Sequence, residues 1–418
     1  MSRKIALFIL VFQVSTLFLH AKVWMPKKTS QIQENIDAAA PFDTIIIEGI
    51  HCFENPVLVN KPLVIKSEYY AGLDFQSNSG GIIINSDSVS VYNLEISNIK
   101  KSSINDYAAI HAEGVSNVLI SNNRVFNAFF GIYFADCTKS SIVNNLVDGF
   151  STIEQKTGNA VHLWQCDSML IEKNRVTNHR DGVYLEFVTN TLVNENISKN
   201  NIRYGLHFMF SHNDTYKNNW FLNNSAGVAV MYSKNVRMIS NQFKDNWGDC
   251  SYGLLLKDIT DGALINNTFQ RNTIALLMEG TNRLDINDNE FSNNGWAVKI
   301  AANCEGNIVS KNSFYGNSFD VSTNGHTVMN KFDGNYWDNY EGYDLNRDGI
   351  GDIPYHPVSL FSVMVERVPE SLMLYRSFLT FLLDKSEHAM PSITPSDLVD
   401  NEPRMKSQTQ TQVYAVNK

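Results

Sequence analysis

Only 18% of the 418 residues are charged, and 43 acidic side chains outnumber 34 basic ones, for a net charge of −9. The chain therefore lacks the basic face that a phosphate backbone requires, which argues against a nucleic-acid binder. Cysteine is scarce: Cys52, Cys137, Cys166, Cys250 and Cys304 occur in no CxxC or CxxxC spacing. That weakens any thiolate zinc site, and an odd count leaves at least one thiol free or intermolecular. A chain of this length does not depend on disulfides for stability. Past the N-terminus no apolar run is long enough to span a bilayer. Clustered carboxylates with Arg or Lys, which sugar chemistry would need, are also not evident. An apolar fraction of 43% with 11% aromatics is too high for a disordered chain.

The N-terminus reads Met1-Ser-Arg-Lys4, then an apolar run from Ile5 to Leu19, then His20-Ala21. A basic start, a short greasy core and a small residue near position 20 make a secretory signal peptide with cleavage near Ala21. Fifteen apolar residues fall short of the ~20 that a membrane anchor needs. The mature protein is expected to be exported and soluble, in the periplasm.

Asparagine is the abundant residue: 49 in all, 46 of them between Asn55 and Asn346. A triplet of Asn, any residue, then an apolar one recurs at Asn123, Asn145, Asn174, Asn219, Asn241, Asn267, Asn289, Asn312 and Asn335, with Asn196 in the same register. The ten positions step by 22, 29, 22, 23, 22, 26, 22, 23 and 23 residues. The two long steps place insertions around Gly149–Gly158 and Asp245–Ser251. Each repeat also carries a short alternating run such as Gly182-Val-Tyr-Leu185 or Gly205-Leu-His-Phe208. Such runs, broken by Asn and Gly, lack the 3.6 period of a helix. They predict an all-β fold, a right-handed parallel β-helix of ~22–23-residue coils. Asn suits its left-handed turns and can bond from coil to coil as a ladder. Ser30–Ala40, with Ser30 or Thr29 as N-cap, is expected to cap the first coil.

Stacking the alternating runs in phase predicts two outward columns. One reads His111, Tyr133, His162, Tyr184, His207, Ala229, Leu255, Leu277, Lys299. The other reads Glu113, Ala135, Trp164, Glu186, Met209, Met231, Lys257, Glu279. Imidazole with thioether is a ligand set that selects copper, Cu(I) above all. Candidate copper ligands are therefore His207, Met209, Met231, His162 and the loop residue His212. The bland alternative is that the Met and aromatic side chains form a protein-binding patch. Cys137 and Cys166, one coil apart, stack either within disulfide reach or as buried free thiols.

After Trp337 the pattern changes. Asp344, Asn346, Asp348, the carbonyl of Ile350, and Asp352 follow the first part of an EF-hand loop, with Gly349 at the turn. Tyr355 stands where the usual Glu closes the loop. The residues fit either calcium or an Asx-turn-rich cap. Glu370–Ala389 then predicts an apolar helix, flanked by Pro369 and Pro391. Its Leu372, Leu374, Phe378, Leu379, Phe381 and Leu382 must cover the solenoid's open end, dock to a partner, or both.

The signal peptide, the Asn-rich coils, the Gly334–Pro357 stretch GNYWDNYEGYDLNRDGIGDIPYHP and the Val368–Met405 segment resemble the NosD family. The resemblance implies a periplasmic, non-catalytic accessory protein for copper-site assembly of nitrous oxide reductase. It implies as partners the permease and ATPase subunits of an ABC transporter, a copper-chaperone lipoprotein and the nitrous oxide reductase apo-protein. The membrane would be approached only through a partner, with residues 360–405 docking the permease. The alternative is a carbohydrate-active enzyme (lyase, epimerase or hydrolase) or a carbohydrate-binding module on the same scaffold. The expected organisation is a signal peptide over 1–21, a β-helix over 22–340, an Asp-rich loop over 341–357, a helical segment over 358–405 and a disordered tail over 406–418.

Overall fold

A computed structural model describes residues 21–407, apart from 103, 151–152, 326–328 and 391–397. Residues 1–20 of the expected signal peptide (1–21) and residues 408–418 of the expected tail (406–418) lie outside the described residues. The described chain winds as a right-handed parallel β-helix, as the repeat predicted. One face is a sheet of twelve parallel strands, running from Val57–Val59 to Phe319–Thr323. The other strands, mostly three residues long, pair in parallel into a 25-stranded sheet.

The Asn register sets the pairing. Residues two beyond the ladder asparagines stack directly, as in Val125, Val147 and Val176, and then Phe221, Phe243, Phe269, Phe291, Phe314 and Trp337. From Phe221 to Trp337 their rings form one buried stack with centroids 4.2–5.5 Å apart. Offset aromatic contacts of this kind add to plain area burial.

The ladder itself is continuous. The Nδ2 of Asn219 donates to Oδ1 of Asn241 at 3.0 Å, and its backbone N–H donates to the same oxygen at 3.0 Å. Its Nδ2 also reaches the carbonyl of Val193. The pattern repeats from Asn123 to Asn335. Thus each buried amide satisfies and is satisfied by its neighbour, which removes the desolvation cost of burying it. The ladder asparagines do not themselves take the left-handed conformation expected of them. The residue before each does, as in Asn122, Asn144, Asn218 and Asn266. A second ladder runs five residues later, through Asn201, Asn224, Asn246, Asn272, Asn294 and Asn317.

The ends are closed by different means. Helix α1 spans Thr29–Ala38 and buries Ile32 and Ile36. Its N-cap is Lys28, one or two residues earlier than expected, and its backbone N–H donates to the side chain of Gln31. At the far end the first ladder stops on Asp400. This fully buried carboxylate accepts from the N–H groups of Gly334 and Asn335, from Asn335 Nδ2 and from Trp337 Nε1, at 2.9–3.1 Å.

The apolar segment after residue 358 is not one helix. Helix α2, Leu360–Arg367, packs Phe361 and Val365 on Phe319, and its Glu366 pairs with Lys299 of the last coils. A 3-10 turn over Pro369–Leu374 follows. Arg376 then takes a left-handed conformation, and helix α3, Phe378–Ala389, starts on a Ser377 cap. That break is why the expected single helix from Glu370 divides. Among the described residues no helix is long and apolar enough to cross a membrane.

Candidate metal-handling face

Both predicted outward columns form on the twelve-stranded sheet. Tyr133, His162, Tyr184, His207 and Ala229 are register partners in successive coils, and so are Ala135, Trp164, Glu186, Met209 and Met231. His207 and Met209 lie two apart on one strand, Tyr204–Met209, and therefore share a face. Met209 and Met231 are direct neighbours, both half-buried. The hydroxyl of Tyr184 donates to the Met209 sulfur at 3.6 Å.

The rings of the first column form an alternating stack. His111–Tyr133, Tyr133–His162, His162–Tyr184 and Tyr184–His207 have centroids 4.9, 4.5, 4.8 and 5.0 Å apart. Tyr184 thus stands between His162 and His207, so the two imidazoles do not converge on one ion. His212 sits in a different column, bridged to Thr189 and Lys234, with its Nδ1 accepting from the Lys234 N–H at 3.1 Å. Of the five candidate copper ligands the coil stack brings together His207, Met209 and Met231.

Outward direction does not mean exposure here. His207 is only 5% exposed, packed against the rings of Tyr184 and Tyr204. Burial, and then the Arg180 guanidinium, push the His162 imidazole down to about 3, and burial also lowers His111. His162 thus remains neutral at physiological pH, the form that carries a free lone pair. Burial likewise raises the phenol of Tyr133 to about 12.

Asp181, which reads in the sequence as an ordinary turn residue beside Gly182, is fully buried at this face. Its Oδ2 lies 3.7 Å from His207 Nδ1 and 3.8 Å from Arg180 Nε, and its Oδ1 lies 3.9 Å from Arg203 Nε. Arg203 also reaches Glu154, on the first inserted loop, at 3.5 Å. His162 Nε2, Arg180 Nε, Asp181 Oδ2 and both ring nitrogens of His207 are buried without a hydrogen-bond partner. Other unpartnered buried atoms are dispersed over the described chain, at Asp214, Tyr216 and Asp320 among others, whereas these five lie on neighbouring coils of one face.

Beside the methionines runs a further column that sequence reasoning passed over. Phe187, Phe210 and Tyr232 are 37–46% exposed, stack at 5.2 and 5.0 Å, and all have φ between 50° and 54°. A left-handed backbone costs roughly 1–2 kcal/mol per non-glycine residue, and bulky side chains seldom adopt it. Their common offset, directly after Glu186, Met209 and Met231, was the available signal.

Elsewhere the Asp-rich loop closes on itself. Asp344 accepts from the N–H groups of Asp348 and Gly349, Asn346 from that of Asp348, Asp348 from that of Ile350, and Asp352 from that of Leu345. The bonds accepted by Asn346 and Asp348 are Asx turns, the others tie the loop across longer spans, and calcium binding there is unsupported. Among the described residues no three His, Cys, Asp or Glu side chains are grouped to hold a metal; thioethers fall outside that set. Cys137 and Cys166 are buried free thiols that donate to the carbonyls of Ala135 and Trp164. The apolar surface of α3 faces outward, with Phe378 74%, Phe381 54%, Leu379 48% and Leu382 44% exposed; Leu372 and Leu374, in the preceding turn, are also exposed.

Residues 143–342 match the family model described as periplasmic copper-binding protein (NosD). A "probable ABC transporter binding protein NosD" of Stutzerimonas stutzeri is 25% identical over 380 residues, covering 86% of each chain. The protein of the same name from Pseudomonas aeruginosa PAO1 is 26% identical over 370 residues, covering 84% of this chain and 85% of its own. Among solved structures, the catalytic unit of a GH87 α-1,3-glucanase from Streptomyces thermodiastaticus aligns with a TM-score of 0.58 at 12% identity. It covers 74% of this chain and 66% of the glucanase unit. The A-module of the Azotobacter vinelandii mannuronan C-5 epimerase AlgE4 aligns with a TM-score of 0.55 at 12% identity, over 73% and 92%. At that identity the two enzymes share the fold alone.

Proposed function

We propose a copper-handling role from the premise that this chain belongs to the NosD family, a family of periplasmic copper-binding proteins. In this reading residues 1–21 direct export, and the mature protein works beside an ABC transporter, as the name of its relatives suggests. It receives or relays copper, taken from a lipoprotein chaperone, for the copper sites of nitrous oxide reductase, and performs no catalysis itself.

The observation that supports this most is the in-register pair Met209 and Met231 with His207 two residues from Met209. Two thioethers and an imidazole suit Cu(I); the methionines are half-buried and the His207 ring is buried beside them. The strained aromatic ridge of Phe187, Phe210 and Tyr232 borders the same site, where a protein that delivers or collects the metal would rest. The permease is assigned to the C-terminal end of the solenoid, to the exposed apolar surface of α3 and the turn before it.

Titration of the mature protein with Cu(I) under a competing chelator tests the site. One tight equivalent is expected, weakened at least tenfold by His207→Ala combined with Met209→Ala. Unchanged affinity in that double variant sinks the site. Co-purification with the permease, lost in Phe378→Asp/Phe381→Asp, tests the docking end.

A further inference from the structure

We infer that Asp181 is a positioning residue. It holds the buried His207 imidazole in the tautomer with the proton on Nδ1 and the lone pair on Nε2. The inference deepens the copper reading above and rests on it for its functional meaning.

Asp181 and His207 come from consecutive coils, and their side chains are 1% and 6% exposed. Oδ2 of Asp181 faces Nδ1 of His207 at 3.7 Å, an electrostatic contact longer than a hydrogen bond, and neither atom has a hydrogen-bond partner among the described residues. An ionised carboxylate can only accept, so the nitrogen facing it favours the proton. In a neutral ring the second nitrogen is then a bare acceptor. No donor in the described chain reaches Nε2, which is buried. A buried lone pair left without a donor is costly. An electron-pair acceptor such as a soft metal ion removes that cost.

The surroundings hold the carboxylate in place. Its Oδ1 accepts from the Tyr204 N–H at 3.3 Å, and the Arg180 and Arg203 guanidiniums lie within 3.9 Å on either side. Arg203 is restrained in turn by Glu154 and by its own stacking over Tyr204. Arg180 donates to Asn159 Oδ1 at 3.1 Å. The tyrosine rings on two sides of His207 restrict its rotation. This is the outer shell of a metal-ligating histidine, in which a carboxylate fixes ring orientation and raises ligand basicity. It is assembled here around one of the three residues already favoured for copper.

Nitrogen-15 NMR of histidine-labelled, metal-free mature protein tests the inference without copper, with the His207 signals assigned through His207→Gln. The wild type is expected to show His207 protonated on Nδ1, and Asp181→Asn to shift it toward Nε2 protonation. Asp181→Glu should restore the wild-type form in part, which a merely structural role would not do. An Nε2-protonated ring in the wild type overturns the inference, and so does a tautomer unmoved in a folded Asp181→Asn. Because the wild-type spectrum alone can contradict it, a poorly folding variant does not shield it. With Cu(I) added, Asp181→Asn should weaken binding roughly 10–100-fold. If the tautomer shifts as expected while neither Asp181→Asn nor His207→Ala alters Cu(I) affinity, Asp181 keeps its positioning role and the copper assignment falls.

Discussion

Two faces of one solenoid treat buried polar groups in opposite ways. On the asparagine face, ten amides from Asn123 to Asn335 hand hydrogen bonds from coil to coil and end on Asp400, which collects five donors. On the twelve-stranded sheet, between His162 and His207, imidazole, guanidinium and carboxylate atoms are buried to a similar degree yet unmatched. Both faces come from the same repeat with the same backbone pairing. The comparison teaches that the fold can satisfy such groups fully, so the unmatched set is not forced by the architecture. Buried polar atoms without partners cost stability, so this face is where a ligand that supplied partners would stabilise the fold most.

The contrast can be broken by variants that exchange the behaviour of the two faces. The largest effect is expected on the ladder. Asp400→Ala strands three buried and two part-buried donors and should lower unfolding free energy by about 3–5 kcal/mol, and Asn219→Ala by about 2–3 kcal/mol, in chemical denaturation. If both lose under 1 kcal/mol, the ladder is ornamental.

Asp214 sharpens the point, because it resembles Asp400 without the donors. Only its Oδ1 accepts, from the Thr191 N–H, while Oδ2 has no partner. Burial pushes its carboxyl up to about 8 from an ordinary 3.8. The neutral form is therefore favoured in the fold, and its contribution is lost as pH rises from about 4 through 8. Asp214→Asn should become progressively more stable relative to wild type over that window, by on the order of 1 kcal/mol per pH unit. A pH-independent difference would refute the assignment.

On the unmatched face the same kind of measurement should show little. Met209→Ala and Met231→Ala should each cost about 1 kcal/mol or less, while Cu(I) binding falls at least tenfold. The smallest stability effect belongs to Phe378→Asp/Phe381→Asp, within about 0.5 kcal/mol of wild type. A large loss there would mean that α3 is a cap rather than a docking surface.

Much of this architecture can be read from spacing. The step of about 22 residues between asparagines fixes the register, and alternation then places His207, Met209 and Met231 on one face before any coordinates. The second ladder was equally readable, since Asn201, Asn224 and Asn246 each lie five residues after a member of the first. Burial was not readable. His207 points outward yet is enclosed by Tyr204 on its own strand and by Tyr184 and Asp181 from the preceding coil. Asp181 stayed hidden because its partners arrive by side-chain reach across coils, which no periodicity encodes. Asp400 lay in a segment without repeats, and its role depends on a return of the chain across 65 residues to Asn335.

Copper K-edge X-ray absorption on the mature protein loaded with one equivalent of Cu(I) puts the central claim to its most direct test. Thioether sulfur together with imidazole nitrogen should surround the metal, and the sulfur contribution should vanish in Met209→Ala/Met231→Ala. A coordination sphere without sulfur in the wild type, or one unchanged in that double variant, would contradict the account.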